Sequence, residues 1–210
     1  MPNYRITKTN YTEDLSVDIF KKLNIKVVRN NQDNNTTAVD LVSENGIKID
    51  VQYSQNFARY GDLRLDFVSA YSHNGQIGLG YSKEELFNLF EIKYGYKVNK
   101  KGKYFQDDYL DAVIILFYDK ELIIEKADIF YEPNTILIMT KKELMNYLHT
   151  FKEICLQATK LNIKTGLGDT HGSAFIPINV NHLRANINCA YGDLTYLKTI
   201  SKEIKDYLSC

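Results

Sequence analysis

Apolar and polar residues alternate along Thr36 to Ser54, and this alternation predicts two strands joined by a turn. Glu44-Asn45-Gly46 supplies the turn, because Asn and Gly tolerate the positive φ that hairpin loops require. A two-residue Asn45-Gly46 loop would divide the apolar residues between two faces. A three-residue loop with Gly46 in the left-handed bulge position sets Leu41 opposite Ile49 and gives one apolar face. Because hydrophobic matching fixes register, we predict the three-residue loop.

The same patterns predict the elements on either side of this hairpin. Thr12 is a good N-cap for a helix that runs to about Asn24 with one apolar stripe. Ile25 to Val28 is β-branched and short, and Leu63 to Ala70 alternates again. Together with the hairpin, these segments predict an antiparallel meander of four strands with one buried face.

The second half of the chain combines capping signals with apolar runs. Capping boxes predict one helix from Ser82/Glu85 to about Gly95 and another from Thr140/Glu143 to about Gln157, with Ile154 inward. The predicted strands are a buried strand over Asp111 to Tyr118, a hairpin of Glu121 to Tyr131 with Thr135 to Met139, and a strand at Phe175 to Val180 that Pro177 places at an edge. Asp193 caps a closing helix. We therefore predict a single α/β domain over residues 1–210, with a central mixed sheet and helices on both of its faces.

Composition excludes several classes of protein without selecting one. The 210 residues include 26 basic and 26 acidic side chains, so nucleic-acid binding would need a local patch. Three cysteines without paired spacing support neither a disulfide framework nor a zinc site. The sequence contains no apolar run that would cross a bilayer and no start resembling a signal peptide, so no membrane association and a cytoplasmic location are expected.

Two carboxylates meet on the polar face of the predicted hairpin. The chosen register sets Asp40 beside Asp50, flanked by Lys48 and Gln52. Carboxylates on neighbouring strands repel each other unless a cation lies between them. Mg²⁺ is usually held by one or two carboxylates plus substrate phosphates, so we predict a Mg²⁺ site here, with Mn²⁺ as the alternative ion. A solvated acidic hairpin face is the other interpretation.

Asp40 followed by Asp50-x-Gln52 on the next strand resembles the PD-(D/E)xK nuclease superfamily, in which an acid on one strand precedes an acid-x-Lys on the next. The resemblance covers about the first half of the chain and implies a restriction-endonuclease-like fold and metal-dependent cleavage of DNA. Gln52 stands where the family has its Lys. Lys48 lies on the same face of the hairpin, where its ammonium would replace that of the family's Lys. The resemblance also implies a third acid from the first helix, which here is Glu13 or Asp14.

A basic stretch is the candidate nucleic-acid contact. Lys93 to Lys103 contains no acid and is interleaved with Tyr94 and Tyr96, so it offers cations to phosphates and rings to bases. A solvated loop is the alternative interpretation. The predicted nucleic-acid-binding residues are Lys97, Lys100, Lys101, Lys103, Arg59 and Arg64.

These observations predict a Mg²⁺-dependent endonuclease that cleaves DNA, with Asp40, Asp50, Lys48 and Gln52 as catalytic residues and Asp40, Asp50 and Glu13 as metal ligands. The main alternative is a catalytically inactive nucleic-acid-binding or inhibitory protein on the same fold, since the motif Lys is absent. A protein–protein interaction module is the third interpretation. The sequence leaves open RNA as the partner and a homodimer as the assembly.

Overall fold

A computed structural model describes residues 4–30, 39–54, 57–72, 85–118, 132–165 and 170–209. The protein is mixed α/β, as predicted, with one mixed sheet and one antiparallel sheet. The chain divides into two compact units. The first unit contains the described residues up to Gly61, Asp108–Leu144 and those from Ile187, and the second contains Asp62–Asp107 and Met145–Asn186. The prediction of a single domain stays a prediction.

The elements follow the chain in this order. The strands are β1 (Val27–Arg29), β2 (Leu41–Ser43), β3 (Lys48–Ser54), β4 (Asp62–Ser72), β5 (Lys97–Lys101), β6 (Ala112–Phe117), β7 (Thr135–Thr140), β8 (Lys160–Thr165), β9 (Thr170–Asn179) and β10 (Ala190–Gly192). The helices are α1 (Tyr4–Lys22), α2 (Phe57–Tyr60), α3 (Glu85–Tyr94), a 3-10 turn (Lys103–Phe105), α4 (Lys141–Thr150), α5 (Lys152–Ala158), α6 (Val180–Asn186), α7 (Leu194–Thr199) and α8 (Ser201–Leu208).

The first unit is built on a six-stranded sheet in the order β1-β2-β3-β6-β7-β10. Neighbouring strands are antiparallel except β3 and β6, which are parallel. Every residue of β6 is buried, as expected for an apolar strand covered on both faces. Residues of α1, α7 and α8 form one core with the sheet residues Leu41, Ile49, Ile114 and Ile138.

Helix α1 begins at Tyr4, so the prediction of a start at Thr12 was wrong. No Gly or Pro interrupts Tyr4 to Thr12, so the helical hydrogen bonding continues through the capping signal, and Thr12 is buried inside the helix. The helix end agrees with the predicted boundary. Asn24 adopts a φ of 57° and the Ile25 N–H donates to the Phe20 carbonyl, a pattern that closes helices.

The second unit is built on a four-stranded antiparallel sheet in the order β5-β4-β9-β8. One face of β4 carries Leu65 and Phe67, both fully buried. Phe67 packs against Phe87, Phe90 and Phe105 with ring centroids 4.8, 5.4 and 5.4 Å away. Such pairs each add about 0.5–1.5 kcal/mol beyond area burial, so this aromatic cluster holds α3 and the 3-10 turn to β4.

Three predictions about strands and helices were wrong. The strand predicted at Leu63 to Ala70 exists as β4, but it belongs to the second sheet and not to the meander, which ends at β3. The segment predicted as an edge strand belongs to β9, which lies between β4 and β8. Pro177 is tolerated because β8 begins at Lys160 opposite Phe175, which leaves Pro177 paired on one side only. The helix predicted to run to Gln157 breaks at Phe151 into α4 and α5.

Ile154 was also predicted wrongly: it is 57% exposed because the break at Phe151 changes the face that α5 buries. Other features agree with the sequence. The Thr140 hydroxyl caps α4 by accepting from the Glu143 N–H at 3.3 Å, and the Asp193 carboxylate caps α7 by accepting from the Tyr196 N–H at 2.8 Å. Ser82 and the predicted strand at 121–131 lie outside the described residues.

Candidate functional site

The predicted hairpin register is confirmed. Leu41 pairs with Ile49, and the Ser43 N–H donates to the Ile47 carbonyl at 3.0 Å. Gly46 adopts a φ of 81°, the left-handed conformation that the three-residue loop requires. Leu41 and Ile49 are fully buried in the core of the first unit, so the apolar face of the hairpin is the one that packs.

Asp40 lies immediately before β2 and holds the backbone of β3. Its carboxylate oxygen Oδ2 accepts from the Val51 N–H at 2.6 Å, and its carbonyl accepts from the Asn30 N–H at 2.9 Å. Val51 directly follows Asp50, so the Asp40 carboxylate lies against the strand at the position of the second acid. Whether both carboxylates reach one ion stays a prediction.

Asp50 is buried in the middle of β3. It is 1% exposed and is aligned with Val113 of the fully buried strand β6. In the described part of the chain it is the one charged residue of the buried core. Buried carboxyl groups are rare in protein cores, because removing them from water has a cost that neighbouring charges or hydrogen bonds must offset.

Glu13 and Asp14 share one guanidinium. Arg29 of β1 donates to Glu13 at 2.7 Å and to Asp14 at 2.9 Å. The Glu13 side chain is 12% exposed and that of Asp14 is 53% exposed. Burial raises the pKa of the Glu13 carboxyl, the Arg29 charge lowers it, and the charges of Asp14 and Asp50 raise it again. Of the two predicted acids, Glu13 is therefore the one shielded from solvent and within electrostatic reach of Asp50.

Arg29 was missed from the sequence. It lies 16 residues from Glu13 at the end of a short strand, and no spacing rule connects a strand terminus to the face of a preceding helix. The one signal in the sequence was that the strand following the first helix carries a cation, while a turn of that helix carries two adjacent acids. The structure therefore adds a fixed positive charge that contacts the predicted third acid.

Lys48 is engaged at the start of β3. Its ammonium donates to the Asp108 carbonyl at 2.7 Å, and its backbone N–H donates to the Asp111 carboxylate at 2.8 Å. Asp111, which the sequence did not single out, thereby extends the parallel pairing of β3 with β6 by one residue. Gln52 is half-buried on β3 and is aligned with Ile115. Gln52, at the position of the motif Lys, is thus accessible to solvent, whereas the Lys48 ammonium already has a partner.

The basic stretch is not a loop, and this alternative interpretation was wrong. Lys97–Lys101 forms β5, an edge strand of the second unit, and Lys103 begins the 3-10 turn. A Cβ on Gly102 would overlap the Asp66 carbonyl, so the glycine allows the chain to lie against β4. The Gly102 N–H also donates to the Phe67 carbonyl at 2.9 Å, which joins the segment to β4.

The lysines differ in what they contact. Lys97 and Lys100 are exposed, while Lys101 lies 4.9 Å from the Phe87 ring centroid and Lys103 5.7 Å from that of Tyr104. Lysines on an edge strand also discourage pairing with other chains, so an interface role stays a prediction.

The two predicted arginines belong to different units. Arg59 of α2 is exposed and lies 5.1 Å from the Tyr60 ring centroid in the first unit. Arg64 of β4 lies 5.6 Å from the Phe175 ring centroid in the second unit and pairs with Asp62 at 3.8 Å. The candidate carboxylates belong to the first unit, and the lysines and Arg64 belong to the second.

Within the described ranges, no group of three or more His, Cys, Asp or Glu side chains is arranged to hold a metal ion. A centre of three protein carboxylates is therefore not assembled among those residues. Oxygen donors from Asp40 and Asp50 suit Mg²⁺, which needs one or two carboxylates and completes its shell with water and phosphate. No helix in the described part of the chain is long and apolar enough to cross a membrane.

No protein-family model, no curated protein and no solved structure matches this chain. The resemblance to PD-(D/E)xK nucleases therefore stays a proposal that depends on the residues described above.

Proposed function

We propose that this protein is a Mg²⁺-dependent endonuclease that hydrolyses phosphodiester bonds of DNA in the cytoplasm. The observation that carries the proposal is the burial of Asp50 next to the Asp40 carboxylate. Asp50 is 1% exposed, and Asp40 accepts from the N–H of Val51, the residue after it, so the two carboxylates would offer a divalent cation the oxygen ligands that Mg²⁺ prefers.

The order of elements in the first unit supports the same function. A helix precedes three antiparallel strands, and a later buried strand lies parallel to the third. A strand meander followed by a buried strand belongs to the core order of the resembled nucleases, in which an acid on one strand precedes an acid on the next and a further acid often comes from the first helix. Asp40, which lies immediately before β2, Asp50 of β3 and Glu13 of α1 would take those three roles in this chain.

Each residue has a distinct role in the proposed reaction. Asp40 and Asp50 would hold the ion, which lowers the pKa of a bound water and neutralises charge on the scissile phosphate. Glu13 assists from α1, where Arg29 orients its carboxylate at 2.7 Å. Gln52, half-buried on the same strand as Asp50, orients the attacking water through its amide. Lys48 contributes positive charge from the start of β3.

A second candidate function is nucleic-acid binding without cleavage, on the same fold. Two observations favour it: the Lys48 ammonium already donates to the Asp108 carbonyl at 2.7 Å, and the neutral amide of Gln52 stands at the position of the motif Lys. A neutral amide stabilises developing phosphate charge less than a cation does. The binding protein would retain the lysines and arginines named above as phosphate contacts.

The test is cleavage of duplex, branched and single-stranded DNA with Mg²⁺ or Mn²⁺. Asp50→Asn should abolish cleavage and preserve the fold, because it removes the charge and keeps the shape of the side chain. Asp18→Asn, a change at an exposed acid of α1, is the matched control and should leave cleavage unchanged. A wild type that binds one of these substrates tightly and cuts none would replace the nuclease by the binding protein.

A further inference from the structure

The second unit contains a cavity that the proposed nuclease function does not use. Its volume is about 360 Å³, within the range of small-molecule sites. Tyr147, Cys155 and Ile178 are buried and form its floor, while Ile154 and His182 lie exposed at its rim. Among the described residues that line it, none is Lys, Arg, Asp or Glu. The cavity is therefore apolar, with a few polar atoms at defined positions.

The main polar feature is a hydrogen bond between Tyr147 and His182. The Tyr147 hydroxyl lies 2.7 Å from His182 Nδ1, and the Phe151 ring packs against both side chains. Burial raises the pKa of Tyr147 to about 12, so its hydroxyl keeps its proton at neutral pH. Among the described residues, His182 Nδ1 is the acceptor for the hydrogen of the Tyr147 hydroxyl, so we assign Nδ1 as the accepting nitrogen.

This assignment determines what the cavity offers to a ligand. With Nδ1 accepting, the neutral imidazole carries its hydrogen on Nε2, and protonated His182 would also donate from Nε2. The Asn179 side-chain oxygen is already occupied, since it accepts from the His182 backbone N–H at 3.0 Å. The imidazole Nε2–H and the Asn179 side-chain NH₂ are therefore the donors that these two residues bring to an apolar cavity.

The Cys155 thiol adds no reactive group. Burial raises its pKa to about 11, so it is present as a thiol and not as the thiolate that would attack a ligand or bind a metal. The cavity is consequently suited to reversible binding.

We propose that this cavity binds a small monocarboxylate with an aromatic or branched aliphatic body. The body fills the apolar floor and one carboxylate oxygen accepts from His182 Nε2–H, a charge-assisted hydrogen bond. A phosphate or a dicarboxylate should bind more weakly, because a second negative charge would meet no Lys or Arg among the described residues of the lining.

A second cavity in the same unit serves as the comparison. It has a volume of about 380 Å³ and is lined by His149, Glu85 and Lys152 among others. Lys152 and Glu85 form an ion pair with each other, so its charged groups are already satisfied. His149 is exposed, like His182, and provides a matched control.

The experiment is an NMR titration of the full chain with phenylacetate, followed through backbone amides and the histidine side chains. We expect saturable shifts confined to the residues that line the first cavity. His182→Ala should weaken binding by about tenfold or more, corresponding to loss of a charge-assisted hydrogen bond, and His149→Ala should leave it unchanged. Phenylacetamide, which has the same body and no charge, should bind more weakly by a similar factor.

A second variant tests the cavity without changing the hydrogen bond. Ile154 is 57% exposed, so Ile154→Trp should fold normally and fill the opening, abolishing the shifts. The proposal is overturned if millimolar phenylacetate shifts none of the lining residues, if the amide binds as tightly as the acid, or if the shifts persist in Ile154→Trp.

Discussion

The Val51 N–H donates to the Asp40 carboxylate at 2.6 Å, in the place where a longer β2 would have supplied a carbonyl. A predicted metal ligand is thus also part of the hairpin's hydrogen bonding. Substitutions at Asp40 should therefore change both the stability of the fold and metal-dependent cleavage, and different substitutions separate the two effects.

Asp40→Ala leaves the Val51 N–H without its acceptor and should lower the free energy of unfolding by about 1–3 kcal/mol. Asp40→Asn keeps an oxygen at that position and should cost much less stability, yet both variants should lose metal-dependent cleavage. Urea unfolding monitored by circular dichroism measures the free energy of unfolding, and a DNA cleavage assay measures the metal-dependent activity. Equal stability of the two variants would show that the hydrogen bond contributes little.

Gln52→Lys should be tolerated and should raise the cleavage rate, because Gln52 is only half-buried and a cation there stabilises developing phosphate charge. Gln52→Met, of similar length and uncharged, is the control and should not raise it. Lys48→Ala should cost about a hundredfold in rate, more than Gln52→Ala. A Lys48→Ala variant that cuts like the wild type would assign Lys48 to its contact with the Asp108 carbonyl alone.

Lys97→Ala combined with Lys100→Ala should weaken DNA binding and flatten its salt dependence by roughly 0.9 log units per lost phosphate contact. Both lysines are exposed on β5, so the double variant should fold. Lys202→Ala with Lys205→Ala removes the same charge from exposed positions of α8 and serves as the control. If the two double variants give the same slope, β5 makes no specific contribution to binding.

Cys155 should react slowly with iodoacetamide. Its pKa rises from 9.0 to about 11, so the thiolate fraction at pH 8 falls by about a hundredfold relative to the unfolded chain. Since the folded thiol holds its proton longer, the free energy of unfolding should decrease as pH rises from about 9 to about 11, and Cys155→Ala should remove that part of the decrease. Alkylation followed by mass spectrometry, with and without urea, measures the difference at this residue.

The local features of the candidate site could be predicted from the amino-acid sequence. The hairpin turn, its register and its buried face follow from Gly46 and from the match of Leu41 with Ile49, because alternation allows one register with a single apolar face. The buried strand β6 and the caps at Thr140 and Asp193 were predicted for the same reason, since each depends on residues that are neighbours in the chain.

The contacts between residues distant in the chain could not be predicted from the sequence. Arg29 contacts Glu13 across 16 positions and Lys48 contacts Asp108 across 60, and β4 leaves the meander for a second sheet. The hydrophobic periodicity of a helix or strand predicts which of its faces is buried, but it does not predict which residues pack against that face. The choice among distant partners depends on packing and charge over the whole chain, so it became visible only in the folded protein.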